Sequence, residues 1–362
     1  MKIAPILLKI RLRKLSAGFI IENGNQYPEN RRTKPPMGGQ EAFMKQREEK
    51  AAVKRSVQAR SSLSAHGIGY IRKNWVLYLF VLPAMLWYII FRYLPMPGVY
   101  MAFTRYQGIG NIFTAKFVGL KWFQSFFQSA YAKQTLVNTL RLSLYSLALF
   151  PLPLIFALVV NEIRNEKFKK ITQTIIYAPH FVSLVILVTM LGLFLDTKGI
   201  VNNMLTAWGM EKIDFLSSDS AYPHVFVWSG VWSSLGWSTI IYTAALSGVD
   251  PSLHEAATLD GASRLQRIWH INLPTIAPTV IIQLILRVGN IMSVSTEKGI
   301  LLKNSLNAGV AETVGTFVYQ RGILGGEFGY STAVGLFLNV VEMILLVVVN
   351  QISKKVSDSS LF

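Results

Sequence analysis

Residues 250–274 read Asp-Pro-Ser-Leu-His-Glu-Ala-Ala-Thr-Leu-Asp-Gly-Ala-Ser-Arg-Leu-Gln-Arg-Ile-Trp-His-Ile-Asn-Leu-Pro, a polar stretch between two apolar ones. Asp250 suits the N-cap of a helix beginning at the proline that follows it, and Gly261 can end that helix in the left-handed conformation. A second short helix can begin near Ser263 and is expected to end before Pro274, because proline disfavours helical geometry in the preceding residue. The stretch predicts a helix–turn–helix, called the docking loop below.

Small residues cluster at the predicted bend of the docking loop, and two acidic residues lie beside them. Because small side chains let another surface approach the backbone closely, the loop is expected to contact a partner. The small residues are Ala256, Ala257, Gly261 and Ala262, and the acidic residues are Glu255 and Asp260.

The composition favours a membrane protein. Hydrophobic residues make up 51% of the chain, charged residues make up 15%, and the mean hydropathy is +0.38. A bilayer core of about 30 Å needs about 20 apolar residues in a helix. Six stretches satisfy this, so the predicted fold is an all-α integral membrane protein with six transmembrane helices and the docking loop between the fourth and fifth. The predicted spans are residues 75–94, 136–160, 172–195, 222–246, 276–295 and 333–350.

The positive charge is concentrated ahead of the spans. Residues 1–73 carry sixteen Lys or Arg and five Glu, a net charge of +11 out of the chain's +17. The positive-inside rule explains such a tail better than nucleic-acid binding, and it also places the basic loop 161–171 and both termini in the cytoplasm. We expect a basic cytoplasmic tail over 1–73, a membrane domain over 74–352 and a cytoplasmic C-terminal tail over 353–362.

Catalytic and cofactor motifs are missing from the sequence. There is no G-x-x-x-x-G-K-[S/T] phosphate loop, there is no cysteine, and the five histidines are scattered over different elements. No nucleophile–base grouping and no metal-ligand grouping stands out. The chain is predicted to be neither an enzyme nor a metal-binding protein.

The docking loop resembles the EAA signature of the membrane subunits of binding-protein-dependent ABC importers. The matching pattern is Glu255-Ala256-Ala257, three residues, Gly261, nine residues, then Ile271-x-Leu273-Pro274. The rest of the chain resembles the sugar-importing branch related to the maltose permease, and most of all the LplB-type permeases of Gram-positive bacteria. This resemblance rests on residues 83–84, 177–183, 331–337 and 353–362.

The resemblance implies a type I importer permease (MetI-like) fold, with the docking loop serving as the coupling helix of a cytoplasmic ATPase subunit. Glu255 would meet basic groups of the ATPase, and the small residues would supply the close approach. Ile271, Leu273 and Pro274 would fix the loop to the fifth span. The implied partners are an ATPase dimer that uses ATP and Mg, a second homologous permease, an extracellular solute-binding lipoprotein and an oligosaccharide. This chain itself would bind no cofactor, and it would lie in the plasma membrane.

Ionisable and aromatic residues within the spans are candidates for a substrate pathway, because charged groups inside a membrane usually face the interior of the bundle. Arg287 and Glu342 are predicted at matching depths in their helices. Three alternatives stay open: the two residues form an ion pair, Arg287 contacts an anionic or hydroxyl-rich substrate, or neither of these contacts exists. LplB-type relatives suggest oligosaccharides, including uronate-containing ones, and an arginine would suit a carboxylate. The other candidates are Asn290, Trp228, Trp232 and Tyr242.

Two other classes of membrane protein remain open from the residues alone. An ion-coupled secondary transporter would show internal repeats and charged relays within its spans, and neither is clear here. A polytopic scaffold or sensor would use the basic tail as its interaction arm. Association with an ATP-hydrolysing partner through the docking loop would separate both from an importer subunit.

Overall fold

The computed structural model describes residues 74–357. The secondary-structure elements in that range are all helices, and the β-structure there is one isolated bridge between Thr104 and Phe117. The α-helices are α1 (Trp75–Tyr88), α2 (Lys121–Gln128), α3 (Ala130–Ala148), α4 (Pro151–Asn161), α5 (Glu166–Tyr177), α6 (Leu184–Leu195), α7 (Ile200–Ala207), α8 (Tyr222–Ser247), α9 (Pro251–Leu259), α10 (Arg264–Arg267), α11 (Leu273–Gly289), α12 (Thr296–Leu302), α13 (Ala308–Ala311), α14 (Val314–Tyr319) and α15 (Phe328–Ser357). The 3-10 segments are Met96–Phe103, Ile112–Thr114 and Ala178–Phe181, and the π segments are Ile89–Tyr93, Ile268–Asn272 and Gln320–Leu324. The predicted basic tail over 1–73 lies outside the described residues.

The chain divides into two compact units between Trp87 and Tyr88. The described part of the first unit is α1 up to Trp87, an apolar helix that contains Pro83. The second unit, from Tyr88 onward, contains the docking loop and all of the cavities described below.

Within residues 74–357, five helical stretches are long and apolar enough to cross a membrane. They are Trp75–Phe103, Ala130–Asn161, Leu184–Ala207, Arg264–Gly289 and Phe328–Lys355. The fourth predicted span corresponds to α8, which is not among these five stretches. Its 26 residues exceed the length that a bilayer requires, but five of them are serine, which is polar. The chain is a multi-pass membrane protein.

The third span differs from its predicted position, residues 172–195. The segment Ala178–Phe181 is a 3-10 turn that contains Pro179, and Val182 after it is extended. Ser183 then caps α6 by accepting a hydrogen bond from Ile186 N, so a new helix begins where the sequence pattern suggested a continuous one. The span therefore lies later in the chain, over residues 184–207.

The remaining spans keep their order but change their ends. The second span is interrupted at Pro151, because α3 ends at Ala148 and α4 begins at Pro151. The fifth span ends at Gly289 rather than at residue 295. The last helix runs on to Ser357, so the first residues of the predicted C-terminal tail are helical.

Helix α8 is the centre of the second unit and contacts α3, α4, α5 and α11. It approaches a neighbour closely at Gly236, where an added Cβ would lie 2.3 Å from the carbonyl oxygen of Ile176. One turn of α8 therefore packs directly on the backbone at the end of α5. Next to it, the ring of Trp237 stacks on His180, with 4.6 Å between the ring centroids.

Candidate functional site

The first helix of the docking loop has the predicted ends. Asp250 accepts a hydrogen bond from Ser252 N at 2.9 Å, and this bond holds the pKa of the Asp250 carboxyl below its usual range. At the other end Gly261 has φ +74°, which is the left-handed region. Ala262 N donates to Ala257 O at 2.8 Å and Gly261 N donates to Thr258 O at 3.1 Å, the pair of bonds of a Schellman motif. The predicted bend is confirmed.

The second helix begins as predicted but does not end before Pro274. Ser263 and Gln266 form a capping box, in which each residue's side chain accepts from the other's backbone N–H. The helix then widens into the π turn Ile268–Asn272, where Leu273 N donates to Ile268 O, and continues as α11. Pro274 falls in the first turn of α11, where a missing N–H is tolerated, so the wide turn lets a proline stand inside one long helix.

Arg267 ties the docking loop together and connects it to the end of α4. Its Nη1 donates to Thr258 Oγ1 at 2.8 Å, across the bend, and its Nη2 lies 3.9 Å from Glu162 Oε2. Both charged side chains are less than one fifth exposed, so the pair is shielded from water better than a surface ion pair. Sequence reasoning did not single out Arg267, because only the fold brings residue 162 next to it.

The surface of the docking loop is apolar as well as acidic. Leu259, Leu265 and Trp269 are 90%, 64% and 60% exposed. The acidic residues Glu255 and Asp260 are exposed on the same loop. Of the other signature residues, Ala256, Gly261 and Pro274 are exposed, Ala257 and Ala262 are half-buried, and Ile271 and Leu273 pack against a buried cluster that includes Leu246 and Ile276. The docking loop therefore presents an exposed apolar surface with small residues, and Ile271 and Leu273 at its C-terminal end anchor it to the rest of the permease.

A cavity of about 680 Å³ lies among α3, α4, α6, α8, α11 and the segment that follows α11. Arg287, in the last turn of α11, donates from Nη2 to Ser146 Oγ at the cavity wall. Asn290 and Tyr242 also line the cavity, and several serines do so too. Among the lining residues that the structure describes there is no aspartate and no glutamate. The cavity therefore has a mainly apolar wall into which hydroxyl, amide and positively charged groups are set.

The six predicted pathway residues are not brought to one place. Arg287, Asn290 and Tyr242 line the cavity just described, whereas Trp228 and Trp232 line a separate, almost wholly apolar cavity of about 570 Å³. Glu342 accepts a hydrogen bond from Ser293 Oγ at 2.8 Å.

The structure therefore gives Arg287 and Glu342 separate hydrogen-bond partners, and they form no ion pair with each other within residues 74–357. Matching depth in two helices fixes the position of a side chain along the axis but not the direction in which it points. The direction is set by how the two helices rotate as they pack, which the sequence pattern does not report.

A second cation, Lys298, lines the same cavity and was missed at the level of sequence. It lies in α12, is 3% exposed, and donates from Nζ to the carbonyl oxygen of Phe226 while lying 4.7 Å from the centroid of that ring. Burial lowers the pKa of Lys298 to about 8. A lysine just beyond a predicted span looks like an ordinary loop residue, so no sequence signal marks it.

No group of three or more His, Asp or Glu side chains that could hold a metal ion occurs within the described range 74–357.

Residues 149–358 match the family described as "Binding-protein-dependent transport system inner membrane component". The chain belongs to this family. It is accordingly a transporter permease subunit and not an enzyme, as the sequence predicted, and the family also supports the predicted permease fold.

Two relatives from Bacillus subtilis (strain 168) align along most of the permease. This chain is 41% identical to "Polygalacturonan/rhamnogalacturonan transport system permease protein YteP" over 288 residues, which cover 79% of this chain and 90% of the relative. It is 43% identical to "Protein LplB" over 294 residues, which cover 80% of this chain and 92% of the relative. The predicted resemblance to LplB-type permeases is confirmed.

Two solved structures share the fold of the permease. One is a bacterial alginate ABC transporter in complex with a periplasmic protein bound to alginate pentasaccharide, with a TM-score of 0.75 and 34% identity, covering 82% of this chain and all of the other. The second is a bacterial ABC transporter involved in the import of the acidic polysaccharide alginate, with a TM-score of 0.74 and 35% identity, covering 80% and 98%.

Proposed function

We propose that this permease is the membrane subunit of an ATP-driven importer of acidic oligosaccharides. The observation that carries the proposal is the cavity of about 680 Å³, which offers Arg287 and serine hydroxyls without a lining carboxylate. An arginine matches a carboxylate in charge and in geometry, and serine and asparagine match sugar hydroxyls. The names of the relatives support the same class, since polygalacturonan, rhamnogalacturonan and alginate all carry carboxylates.

The driving force would enter through the docking loop, from a cytoplasmic ATPase dimer that uses ATP and Mg. The exposed Leu259 and Leu265 would fill an apolar cleft in the ATPase subunit, and Glu255 would face basic groups at its rim. Such an apolar contact with a charged rim is a common form of specific protein interface. Because the second helix of the loop continues into α11, a push on the loop would reach the cavity wall at Arg287 along one helix.

The remaining partners follow from the same function. A second, homologous permease would complete the pathway, and an extracellular solute-binding lipoprotein would deliver the oligosaccharide. The basic loop 161–171 and the docking loop would lie in the cytoplasm together with both termini, and the protein would lie in the plasma membrane. Residues 74–352 would form the membrane domain, with tails at 1–73 and 353–362.

Co-purification of the ATPase subunit with the tagged permease tests the proposal. Glu255→Lys reverses a charge on the docking loop, and Gly261→Pro forbids the positive φ of the bend, so both variants are expected to lose the ATPase. Asp219→Lys, an equally drastic change at an exposed acidic residue outside the loop, is the control and is expected to retain it. Unchanged association in both loop variants would contradict the assigned role of the loop.

A further inference from the structure

Lys298 is buried without a counter-ion. Its ammonium group has three N–H donors, and the contacts that the structure describes for them are one carbonyl, that of Phe226, and the face of the same residue's ring. Gly230, one turn after Phe226 on α8, is also close, since an added Cβ there would lie 3.2 Å from Nζ. Within residues 74–357 the ion pairs are Arg267–Glu162, Lys303–Glu312 and Arg321–Glu327, none of which includes Lys298.

Burying a charge in this way is costly unless an opposite charge or further hydrogen bonds accompany it. The lowered pKa of Lys298 reflects that cost. An anion entering the cavity would supply the missing partner, and it would gain more from the contact than at an exposed lysine because water is already excluded there.

The second observation is that Lys298 and Arg287 line the same cavity. The two cations belong to different helices, α12 and α11, and the segment between them also contributes Asn290, Ser293 and Ser295 to the cavity wall. A cavity of about 680 Å³ is in the size range of small-molecule sites and accommodates more than one sugar ring. Two cations that line one cavity, joined by a segment that adds hydroxyl and amide groups to the same lining, fit a chain of sugars that carries carboxylates at intervals.

We propose that Lys298 is a carboxylate-binding, specificity-determining residue of the cavity, acting with Arg287 to select acidic over neutral oligosaccharides. The inference rests on the proposed function, because it takes the cavity to be the path of an acidic oligosaccharide. It adds a second contact point, and it assigns to Lys298 a part of the selectivity that the solute-binding protein does not supply.

The test measures binding to the assembled transporter, reconstituted in lipid nanodiscs without the solute-binding protein. The two probes are a labelled tetragalacturonate and its methyl ester, which has the same length and hydroxyl groups but no carboxylate charge. Lys298→Met is expected to weaken binding of the acid by at least about tenfold, the value of one hydrogen bond to a charged group, and to leave binding of the ester unchanged. Lys198→Met, at an exposed lysine, is the control and should bind both probes as the wild type does.

Lys298→Gln serves if the methionine variant does not assemble, because glutamine keeps a donor for the Phe226 carbonyl and removes only the charge. Equal weakening of acid and ester in Lys298→Met or Lys298→Gln would assign Lys298 a purely structural role and overturn the inference. Unchanged binding of both probes would overturn it as well. If the wild type prefers the acid and the variants keep that preference, Lys298 is excluded and the proposed function stands; if the wild type shows no preference, both fall together.

Discussion

Replacing Gly261 separates two reasons for a glycine at the bend of the docking loop. The first reason is conformational, since φ +74° costs an alanine about 1–2 kcal/mol and costs an asparagine less. The second is the close approach of a partner, since an added Cβ at Gly261 would meet nothing within 4 Å in this chain and the space in front of it is open. Gly261→Ala and Gly261→Asn weigh these reasons differently.

If conformation alone mattered, Gly261→Ala would lower the population of the bent loop by about 5–30-fold, the equivalent of 1–2 kcal/mol, and Gly261→Asn would be close to wild type. If an ATPase surface contacts the bend, as proposed, the bulkier asparagine blocks that approach although it keeps the bend. We therefore expect both variants to lose most of their ATPase stimulation, with Gly261→Asn at least as impaired as Gly261→Ala.

The assay is ATP hydrolysis by the reconstituted complex, stimulated by the solute-binding protein and its oligosaccharide. The amount of assembled permease in the membrane is measured in parallel, and it should match the wild type because the bend is exposed. Wild-type stimulation in Gly261→Asn, alongside a clear loss in Gly261→Ala, would refute the close-approach argument and leave only the conformational one.

Two further variants test the packing around the site. Gly236→Ala should sharply lower the thermal stability of the detergent-solubilised permease, because its Cβ would overlap the backbone carbonyl of Ile176, which cannot rotate away. The matched control is Gly335→Ala, where an added Cβ meets nothing within 4 Å. Equal stability of the two variants would contradict the described packing. Arg267→Met removes the contacts with Thr258 and Glu162. A hydrogen bond from a charged donor stabilises by about 1.5–3 kcal/mol, so the loop should be held less firmly. We expect the loop still to bind the ATPase, while less oligosaccharide is imported per ATP hydrolysed. An unchanged transport-to-hydrolysis ratio in Arg267→Met would show that this tie carries no motion.

The local features of the docking loop were predictable because each one is encoded within a few residues. A cap at Asp250, a left-handed turn at Gly261 and a new start at Ser263 depend on side-chain and backbone chemistry that a short stretch contains by itself. The expected end before Pro274 was wrong because a π turn upstream accommodates the proline, and proline alone does not reveal whether a helix breaks or widens.

The candidate site was predicted less completely because it depends on contacts between distant segments. Arg287 could be found as a charge within an apolar span, but its partner Ser146 is 141 residues away. Lys298 matters only because α12 folds back against Phe226, and the sequence around it resembles any loop. Conversely, Trp228 and Trp232 were candidates for the substrate pathway, yet they line an apolar cavity of their own.

In the proposed function, ATP hydrolysis by a partner subunit drives acidic oligosaccharides through this permease. Uptake of labelled oligogalacturonate into proteoliposomes that contain the permease, its partner permease, the ATPase subunit and the solute-binding protein tests it most directly. Uptake is expected to require ATP inside the vesicle, to persist when ion gradients are collapsed, and to be abolished by Glu255→Lys. Uptake that proceeds without ATP and follows an imposed ion gradient would contradict it.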